Sequence, residues 1–302
     1  MFRAIERNKR TTVLLIVGYG LVVIAVGLLA SFGLNSPWPA IIIIGLATAW
    51  VSITLVRGVR LAEYLAHWTR VSRSDQRDLY VTVENLAIRT GMPTPMICIS
   101  DEPDINAFAI GMSPKQAIVG ITTGALEVLD STELEAVMAH EMAHIRNYDT
   151  RVQLVITAII GSMGFLAMFF WALVIAAGNS QQSKNDKERD NSAAILAIIA
   201  FVPAVVFTIV AWVIGPLVSA AVSRQREYLA DASGVEMTRY PDGMISLLQK
   251  IEDQEKGLAV HSPTLAAFYY HNERGGLRQF FYSTHPPTHK RIKRVREIAE
   301  SV

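Results

Sequence analysis

Residues 11–56 contain no Asp, Glu, Lys, Arg or His, and an uncharged run of this length restricts the environments in which the chain can fold. A helix of about 20 apolar residues crosses a bilayer, so the run has room for two such helices. Residues 35–39, Asn-Ser-Pro-Trp-Pro, are typical of a turn at a membrane surface. We therefore predict membrane helices over about 13–34 and 39–56.

Two more apolar segments follow, at residues 152–177 and 193–222, and each is long enough for one membrane helix. We predict these helices over about 152–178 and 194–220. A composition of 51% hydrophobic and 18% charged residues also fits a membrane protein better than a soluble enzyme. The segments contain glycines and prolines, at Gly161, Gly164, Pro203, Gly215 and Pro216. Such residues predict close helix packing or broken helices.

The first apolar run predicts a membrane anchor rather than a secretory signal peptide. It exceeds the usual apolar core of a signal peptide, no Ala-x-Ala cleavage site follows it, and a second apolar run begins directly afterwards. The two polar blocks then form one divided domain. The predicted organisation is a transmembrane hairpin at 1–56, a first domain part at 57–151, a second hairpin at 152–222 and a second domain part at 223–302.

Positive charges flank both hairpins where they meet the polar blocks, at Arg3, Arg7, Lys9, Arg10, Arg57, Arg60, Arg70, Arg73, Arg146, Arg151, Arg224 and Arg226. The turn at 35–39 has none, and acidic residues offset those of residues 179–192. The positive-inside rule therefore predicts cytoplasmic termini and a cytoplasmic polar domain. The lone Cys98 forms no internal disulfide, which suits that side. A net charge of +1 argues against nucleic acid as a partner.

A metal-binding pattern, His-Glu-Met-Ala-His at residues 140–144, lies between the hairpins. On a helix His140 and His144 share one face, so both imidazoles can reach one metal ion. Glu141 projects nearby, where it can act as general base toward an attacking water. Asp130 with the acidic residues after it predicts where this helix begins. The alternative is a buried amphipathic helix that holds two histidines and a glutamate with no metal to satisfy them.

A third metal ligand is expected on another helix, because catalytic zinc has three protein ligands and an open position for water. Glu227 and Asp231 lie four residues apart and share a helical face. One of the two can bind the metal while the other orients a ligand histidine through its ring N–H. The alternative is a solvated helix, where acidic pairs at this spacing are common.

The first polar block predicts a long helix over about 58–90 that ends at Gly91, then three short strands, then the metal-motif helix. The strands are Met96–Ser100, Ala107–Ile110 and Ala117–Ile121, and a turn at 111–114 makes the last two a hairpin. The second polar block is mostly helical. It includes a helix from near Thr288 that is rich in basic residues, among them Lys290, Arg291, Lys293, Arg294 and Arg296. We expect these residues to lie on a solvated face, and the alternative is that they contact anionic lipid headgroups.

Together these motifs resemble those of the HtpX family of membrane zinc metalloproteases. The shared patterns are H-E-x-x-H at 140–144, E-Y-x-A-D at 227–231, N-A-F-A at 106–109, Ser-Arg at 223–224 and His-Pro at 285–286. The resemblance covers essentially the whole chain. It implies a mostly α-helical membrane protein with four hydrophobic helices and a zincin-like α+β cytoplasmic domain with a small sheet. It also implies a bacterial inner-membrane protease for quality control, whose substrates are damaged or misassembled membrane proteins cleaved from the cytoplasmic side.

The resemblance assigns a role to each residue of the metal site. It implies one Zn²⁺ per chain, with His140, His144 and Glu227 as its ligands. Glu141 would be the general base, and Asp231 would support a ligand from behind.

The resemblance also implies a substrate-binding strand, formed by Asn106, Ala107, Phe108 and Ala109. An extended peptide would add to this edge by backbone hydrogen bonds. The alternative is a core strand, which Phe108 alone would suit. His285 would bind the developing oxyanion, and its alternative role is to cap the basic helix.

Two functions of other classes compete with a protease, and one related protease branch competes with the HtpX family. A metal transporter would place His and Glu within its spans, and the predicted spans contain neither. An inactive adaptor would have lost Glu141 or a ligand, and none is missing. The CAAX prenyl proteases share the zinc motifs, but they are expected to have more than four spans.

Overall fold

The computed structural model describes residues 2–66, 68–182, 191–254 and 286–300. The chain divides into two compact units, here named for their composition. The apolar unit comprises residues 11–56 and 155–218. The polar unit comprises residues 1–10, 57–154 and 219–302.

Most of the described chain is helical. In chain order the helices are α1 Phe2–Gly33, α2 Trp38–Leu65, α3 Arg77–Thr90, α4 Thr123–Val128, α5 Ser131–Arg146, α6 Asp149–Gln182, α7 Asn191–Ile209, α8 Gly215–Thr238, α9 Pro241–Gln254 and α10 Thr288–Ala299. The strands are β1 Thr69–Arg70, β2 Met96–Ser100, β3 Ala107–Ile110 and β4 Ile118–Thr122. A 3₁₀ turn at Pro114–Gln116 precedes β4, and a π-helical turn at Val210–Ile214 joins α7 to α8.

Within the described residues, four helical stretches are long and apolar enough to cross a membrane, which confirms the predicted hydrophobic helices. They are Ala4–Gly33, Trp38–Tyr64, Asp149–Asn179 and Ile195–Ser219. Small residues lie at their contacts: a Cβ on Gly161 would come within 3.1 Å of Trp50, and one on Gly215 within 2.8 Å of Ile160. Large apolar side chains such as Leu14 point outward. This arrangement suits helices surrounded by lipid.

The polar unit is built on a four-stranded mixed sheet with the strand order β1-β2-β4-β3. Strands β2 and β4 are parallel, whereas β3 pairs with β4 in the antiparallel hairpin that the turn residues predict. Strands β2 and β3 have the predicted bounds, and β4 is shifted by one residue. Helices α3, α5 and α9 share a hydrophobic core with this sheet.

The predicted helix over 58–90 is wrong, because α2 ends at Leu65 and α3 begins only at Arg77. Trp68 interrupts the helix: it is buried and stacks on Phe108 with ring centroids 4.0 Å apart. Strand β1 follows and pairs with β2. Tertiary packing of one indole therefore overrides the local helical pattern. Helix α3 does end at Gly91, as predicted, with that residue in the left-handed conformation (φ +67°).

A capping box starts helix α5 at the predicted position. The Asp130 carboxylate accepts from the backbone N–H groups of Thr132 and Glu133, and the Glu133 carboxylate accepts from the N–H of Asp130. Glu133 is buried and also binds Lys250 (2.5 Å) and Ser246 (2.6 Å) of α9. These contacts fix the start of the helix that carries the metal motif.

Candidate metal centre

Two helices converge to bring together three side chains that could hold a metal ion. Helix α5 carries His140 and His144, and helix α8 brings Glu227 to them. The two Nε2 atoms lie 3.2 Å apart. The Glu227 carboxylate oxygens lie 3.5 Å from Nε2 of His140 and 3.4 Å from Nε2 of His144. His140 and Glu227 are buried, and His144 keeps limited exposure.

The spacing of these atoms suits a tetrahedral cation. A zinc ion held at about 2.0–2.1 Å by its ligands keeps them about 3.4 Å apart, which is the edge of the tetrahedron. The separations in this site, 3.2 Å between the two Nε2 atoms and 3.5 and 3.4 Å from them to Oε2 and Oε1 of Glu227, are close to such an edge. The fourth corner is the position for water or substrate at a catalytic site. The donor set therefore fits zinc.

The other nitrogen of each imidazole faces a carboxylate. Nδ1 of His140 lies 2.9 Å from Asp231, and Nδ1 of His144 lies 3.0 Å from Asp149. From these partners we assign the imidazole proton to Nδ1 in both histidines, which leaves each Nε2 with a lone pair directed at the shared centre. Lone pairs crowded this closely repel each other unless a metal cation or a proton lies between them.

Buried charges of both signs belong to this region. Among the described residues, the buried carboxylates on these helices include those of Glu141, Asp149, Glu227 and Asp231, and the buried arginines are Arg226 and Arg291. A divalent ion would add positive charge beside these carboxylates.

The pKa values of the site follow from the same contacts. Burial raises the pKa of the Asp231 carboxyl, but the charge and hydrogen bonds of Arg291 outweigh burial and lower it to about 2. Burial lowers the pKa of the His144 imidazole, but hydrogen bonds to Asp149 and Glu227 outweigh burial and raise it to about 10. In the metal-free site the His144 imidazole therefore holds a second proton and is positively charged.

Sequence reasoning missed two residues of this site. Asp149, the first residue of α6, has the pattern of an ordinary acidic residue at a helix start, and nothing local links it to His144. Arg291 was predicted to lie on the solvated face of a basic helix, and that prediction is wrong. It is 2% exposed, donates to both oxygens of Asp231 and has Nη1 3.7 Å from Glu227. The available signal was the position of Arg291 four residues before Val295, which places it on the apolar face of the helix.

The remaining predicted residues lie as follows. Glu141 is buried on α5 between the two histidines in sequence, at 4% exposure. Ala107, Phe108 and Ala109 lie in β3, with Asn106 directly before it; the strand stands at the end of the strand order, and α5 packs against it. The Phe108 ring is turned into the core over Gly120, where a Cβ would come within 2.0 Å of the ring. His285 lies outside the described residues.

Comparison with known proteins places these features in a family. Residues 73–299 match the model of peptidase family M48. A protease HtpX homolog of Tropheryma whipplei is 39% identical over 300 residues, which cover 99% of this chain and 98% of that protein. One from Listeria monocytogenes is 34% identical over 310 residues, covering 99% of this chain and 100% of that protein. The crystal structure of S. mikatae Ste24p shares the fold, with a TM-score of 0.55 and 15% identity over 98% of this chain and 67% of that one.

Proposed function

From the membership of this chain in peptidase family M48, among the HtpX proteases, we propose that it is a zinc endopeptidase for quality control of membrane proteins. The chain is a membrane metalloprotease and hydrolyses peptide bonds. We propose further that one Zn²⁺ binds per chain, and that damaged or misfolded membrane proteins are cleaved from the cytoplasmic side.

One observation carries the assignment of zinc. The Nε2 atoms of His140 and His144 lie 3.2 Å apart, each has a Glu227 oxygen within 3.5 Å, and each histidine presents its other nitrogen to a buried carboxylate. A carboxylate behind each ligand histidine fixes its ring and raises its basicity. A solvated amphipathic helix has no need for this arrangement.

The mechanism assigns the proton transfers to Glu141. A zinc ion held by His140, His144 and Glu227 would supply Lewis-acid chemistry to the scissile carbonyl and to the attacking water. Glu141 takes a proton from the attacking water and delivers it to the leaving amine. Its burial beside the ligands strengthens these electrostatic effects, because little water screens them. His285 is proposed to bind the oxyanion, on the strength of the family resemblance.

Strand β3 is proposed to hold the substrate as an added strand. Thr122 donates to the carbonyl of Asn106, so the alternation of an antiparallel pair directs the backbone of 106, 108 and 110 toward β4. Residues 107 and 109 then face away from β4. The Ala107 N–H is taken by the Asn106 side chain at 2.9 Å. The Ala107 carbonyl and both polar backbone groups of Ala109 are the groups that an extended peptide would meet.

The cytoplasmic location of the site rests on charge. Lys and Arg cluster where the polar segments meet the apolar ones, and the turn at 35–39 carries none. We retain the predicted organisation, with hairpins at 1–56 and 152–222 and domain parts at 57–151 and 223–302. A site on this side can reach polypeptide exposed at the membrane surface, which is the form in which misassembled membrane proteins present unfolded chain.

Metal analysis combined with proteolysis tests the proposal. Detergent-purified wild type should contain near-stoichiometric zinc and cleave an unfolded substrate. Glu141→Gln should keep the zinc and lose most activity, because the glutamate is a base and no ligand. Glu135→Gln is the matched control on the same helix, where the carboxylate pairs with Arg89 at 2.6 Å. Full activity in zinc-loaded Glu141→Gln would contradict the mechanism, and wild type without metal would contradict the site.

A further inference from the structure

A buried amide lies near the start of the chain, in a segment whose other side chains are mostly charged and exposed. Asn8 on helix α1 is 4% exposed, whereas Glu6, Arg7, Lys9 and Arg10 around it are exposed. Burial of an amide among charged neighbours is costly unless its hydrogen bonds are made. The partners of Asn8 should therefore show what this segment binds.

Both hydrogens of the Asn8 amide are donated to one turn. Nδ2 donates to the backbone carbonyl of Asn147 (2.8 Å) and to Oδ1 of Asp149 (2.6 Å). This turn joins α5, which carries the two histidines, to α6. The Asn147 carbonyl belongs to the end of α5, where helices leave carbonyls without internal partners. Asn8 thus caps helix α5, which carries the two histidines, and binds Asp149, the first residue of α6.

Asp149 passes this contact on to the metal centre. Its Oδ1 binds Asn8, and its Oδ2 lies 3.0 Å from Nδ1 of His144. The carboxylate therefore bridges the two side chains with one oxygen each. Rotation of Asp149 would break either contact, so Asn8 limits the orientations of the group that fixes the His144 ring.

Further contacts hold the same turn. Tyr148, between Asn147 and Asp149, has a left-handed backbone (φ +61°), which a non-glycine residue keeps only where its surroundings enforce it. The neighbour of Asn8, Lys9, places its ammonium 4.9 Å from the centre of the Tyr148 ring. From helix α8, Arg226 donates to the Asp149 backbone carbonyl at 2.7 Å. Two consecutive residues of α1 thus hold the turn that the metal site requires.

We propose that Asn8 is a positioning residue of the metal centre, which holds Asp149, and through it His144, in the orientation that binds the cation. The segment before the first apolar stretch is then part of the enzyme and more than a membrane anchor. This inference rests on the proposed function, since it presupposes that His144 is a ligand.

The test is zinc retention against a graded chelator, together with the visible spectrum of the Co²⁺-loaded protein. Asn8→Ala should weaken zinc binding about tenfold, at the lower end of what loss of a ligand's hydrogen-bond partner costs. Asn8→Asp keeps the size but removes both donors and sets a second carboxylate beside Asp149, so it should weaken binding more. Both should alter the Co²⁺ spectrum. The control, Glu6→Gln on the same segment, should behave as wild type.

A double-mutant cycle shows whether Asn8 acts through Asp149. In an Asp149→Asn background, Asn8→Ala should cost less than about threefold, because the bridge is already broken. Unchanged zinc retention in Asn8→Ala and Asn8→Asp, or losses that multiply in the double variant, would overturn the proposal. So would an unchanged Co²⁺ spectrum with a lowered melting temperature of the metal-free protein, which indicates a structural role alone. Absence of zinc from wild type would instead count against the proposed function.

Discussion

Arg291 and Asp231 form a buried, two-point ion pair, with Nε donating to Oδ2 at 2.8 Å and Nη2 to Oδ1 at 2.6 Å. The two residues are 60 positions apart, on α10 and α8. Because Asp231 also faces Nδ1 of His140, the pair connects the last described helix to a candidate metal ligand. A paired, hydrogen-bonded charge of this kind tolerates loss of one partner poorly.

Removal of the Arg291 guanidinium should destabilise the metal-free protein. Arg291→Met leaves the Asp231 carboxylate buried and uncompensated, a loss of about 3–5 kcal/mol in the free energy of unfolding. Arg294→Met is the matched control on the same helix, where the exposed guanidinium lies 4.7 Å from the Tyr228 ring centre and should cost about 1 kcal/mol or less. Thermal unfolding in detergent measures both. Equal losses would contradict the role assigned to the ion pair.

Zinc retention should rank the acidic residues of the site. Glu227→Ala leaves two histidines as protein ligands and should weaken binding by orders of magnitude, whereas Asp231→Ala and Asp149→Ala should each cost about 10–100-fold. A chelator series on the three proteins gives the order. Loss of metal from Asp231→Ala at lower chelator than from Glu227→Ala would mean that ligand and supporting residue have been exchanged.

Zinc affinity should rise with pH. The pKa of His144 in the metal-free protein is raised to about 10, so below that pH its imidazole holds a proton that a metal must displace. Between about pH 6 and 8 the observed affinity should increase about tenfold per unit for each proton released. Competition titrations in several buffers measure the slope. His289→Gln, an exposed histidine on α10, should leave it unchanged. A flat profile would rule out a protonated His144.

The open side of β3 can be tested with a proline. Ala109→Pro removes an N–H that faces away from β4, so pairing with β4 should survive. Loss of one backbone hydrogen bond to substrate, about 0.5–1.5 kcal/mol, should lower kcat/KM by about 2–10-fold with zinc content unchanged. Ala109→Ser keeps the N–H and serves as the control. Unchanged kcat/KM in a folded Ala109→Pro protein would remove this strand from the substrate site.

Cysteine labelling tests the membrane topology. In a Cys98→Ser background, single cysteines at Asn35 and Lys187 should react with an impermeant reagent on intact cells, because both turns are predicted to lie outside. A cysteine at Glu127, an exposed position of the polar unit, should react only after permeabilisation. Reaction at Lys187 only after permeabilisation would mean that the second hairpin does not cross the membrane.

The parts of the site that sequence predicts are those that depend on local spacing. Two histidines four residues apart must share a helical face, and Asp130 followed by Glu133 must favour a helix start, wherever the helix later packs. The strand bounds follow in the same way from short runs between turn residues. Each of these features is decided within a few residues.

The parts that sequence does not predict depend on distant partners. Asp149 contacts His144, a candidate metal ligand, across a tight turn five positions away. The left-handed position of this turn is occupied by Tyr148, whereas glycine or asparagine is the usual residue at such a position. In a run of basic residues, Arg291 differs from exposed Lys290 only by its helical spacing from Val295, and its partner Asp231 lies 60 positions earlier. The helix over 58–90 failed for the same reason, since the partner of Trp68 is Phe108, on a strand 40 positions later.

His140 and Arg291 lie 151 positions apart in the sequence, so the ribosome adds them to the chain at different times. The ribosome adds Glu227 83 positions after His144 (227 − 144 = 83), and Arg291 follows 64 positions later (291 − 227 = 64). A nascent chain shorter than 227 residues therefore carries two of the three candidate metal ligands. Products that end between residues 145 and 290 retain the signature motif but lack the arginine that pairs with Asp231. Assembly of the complete site thus depends on residues that are translated well after the signature motif.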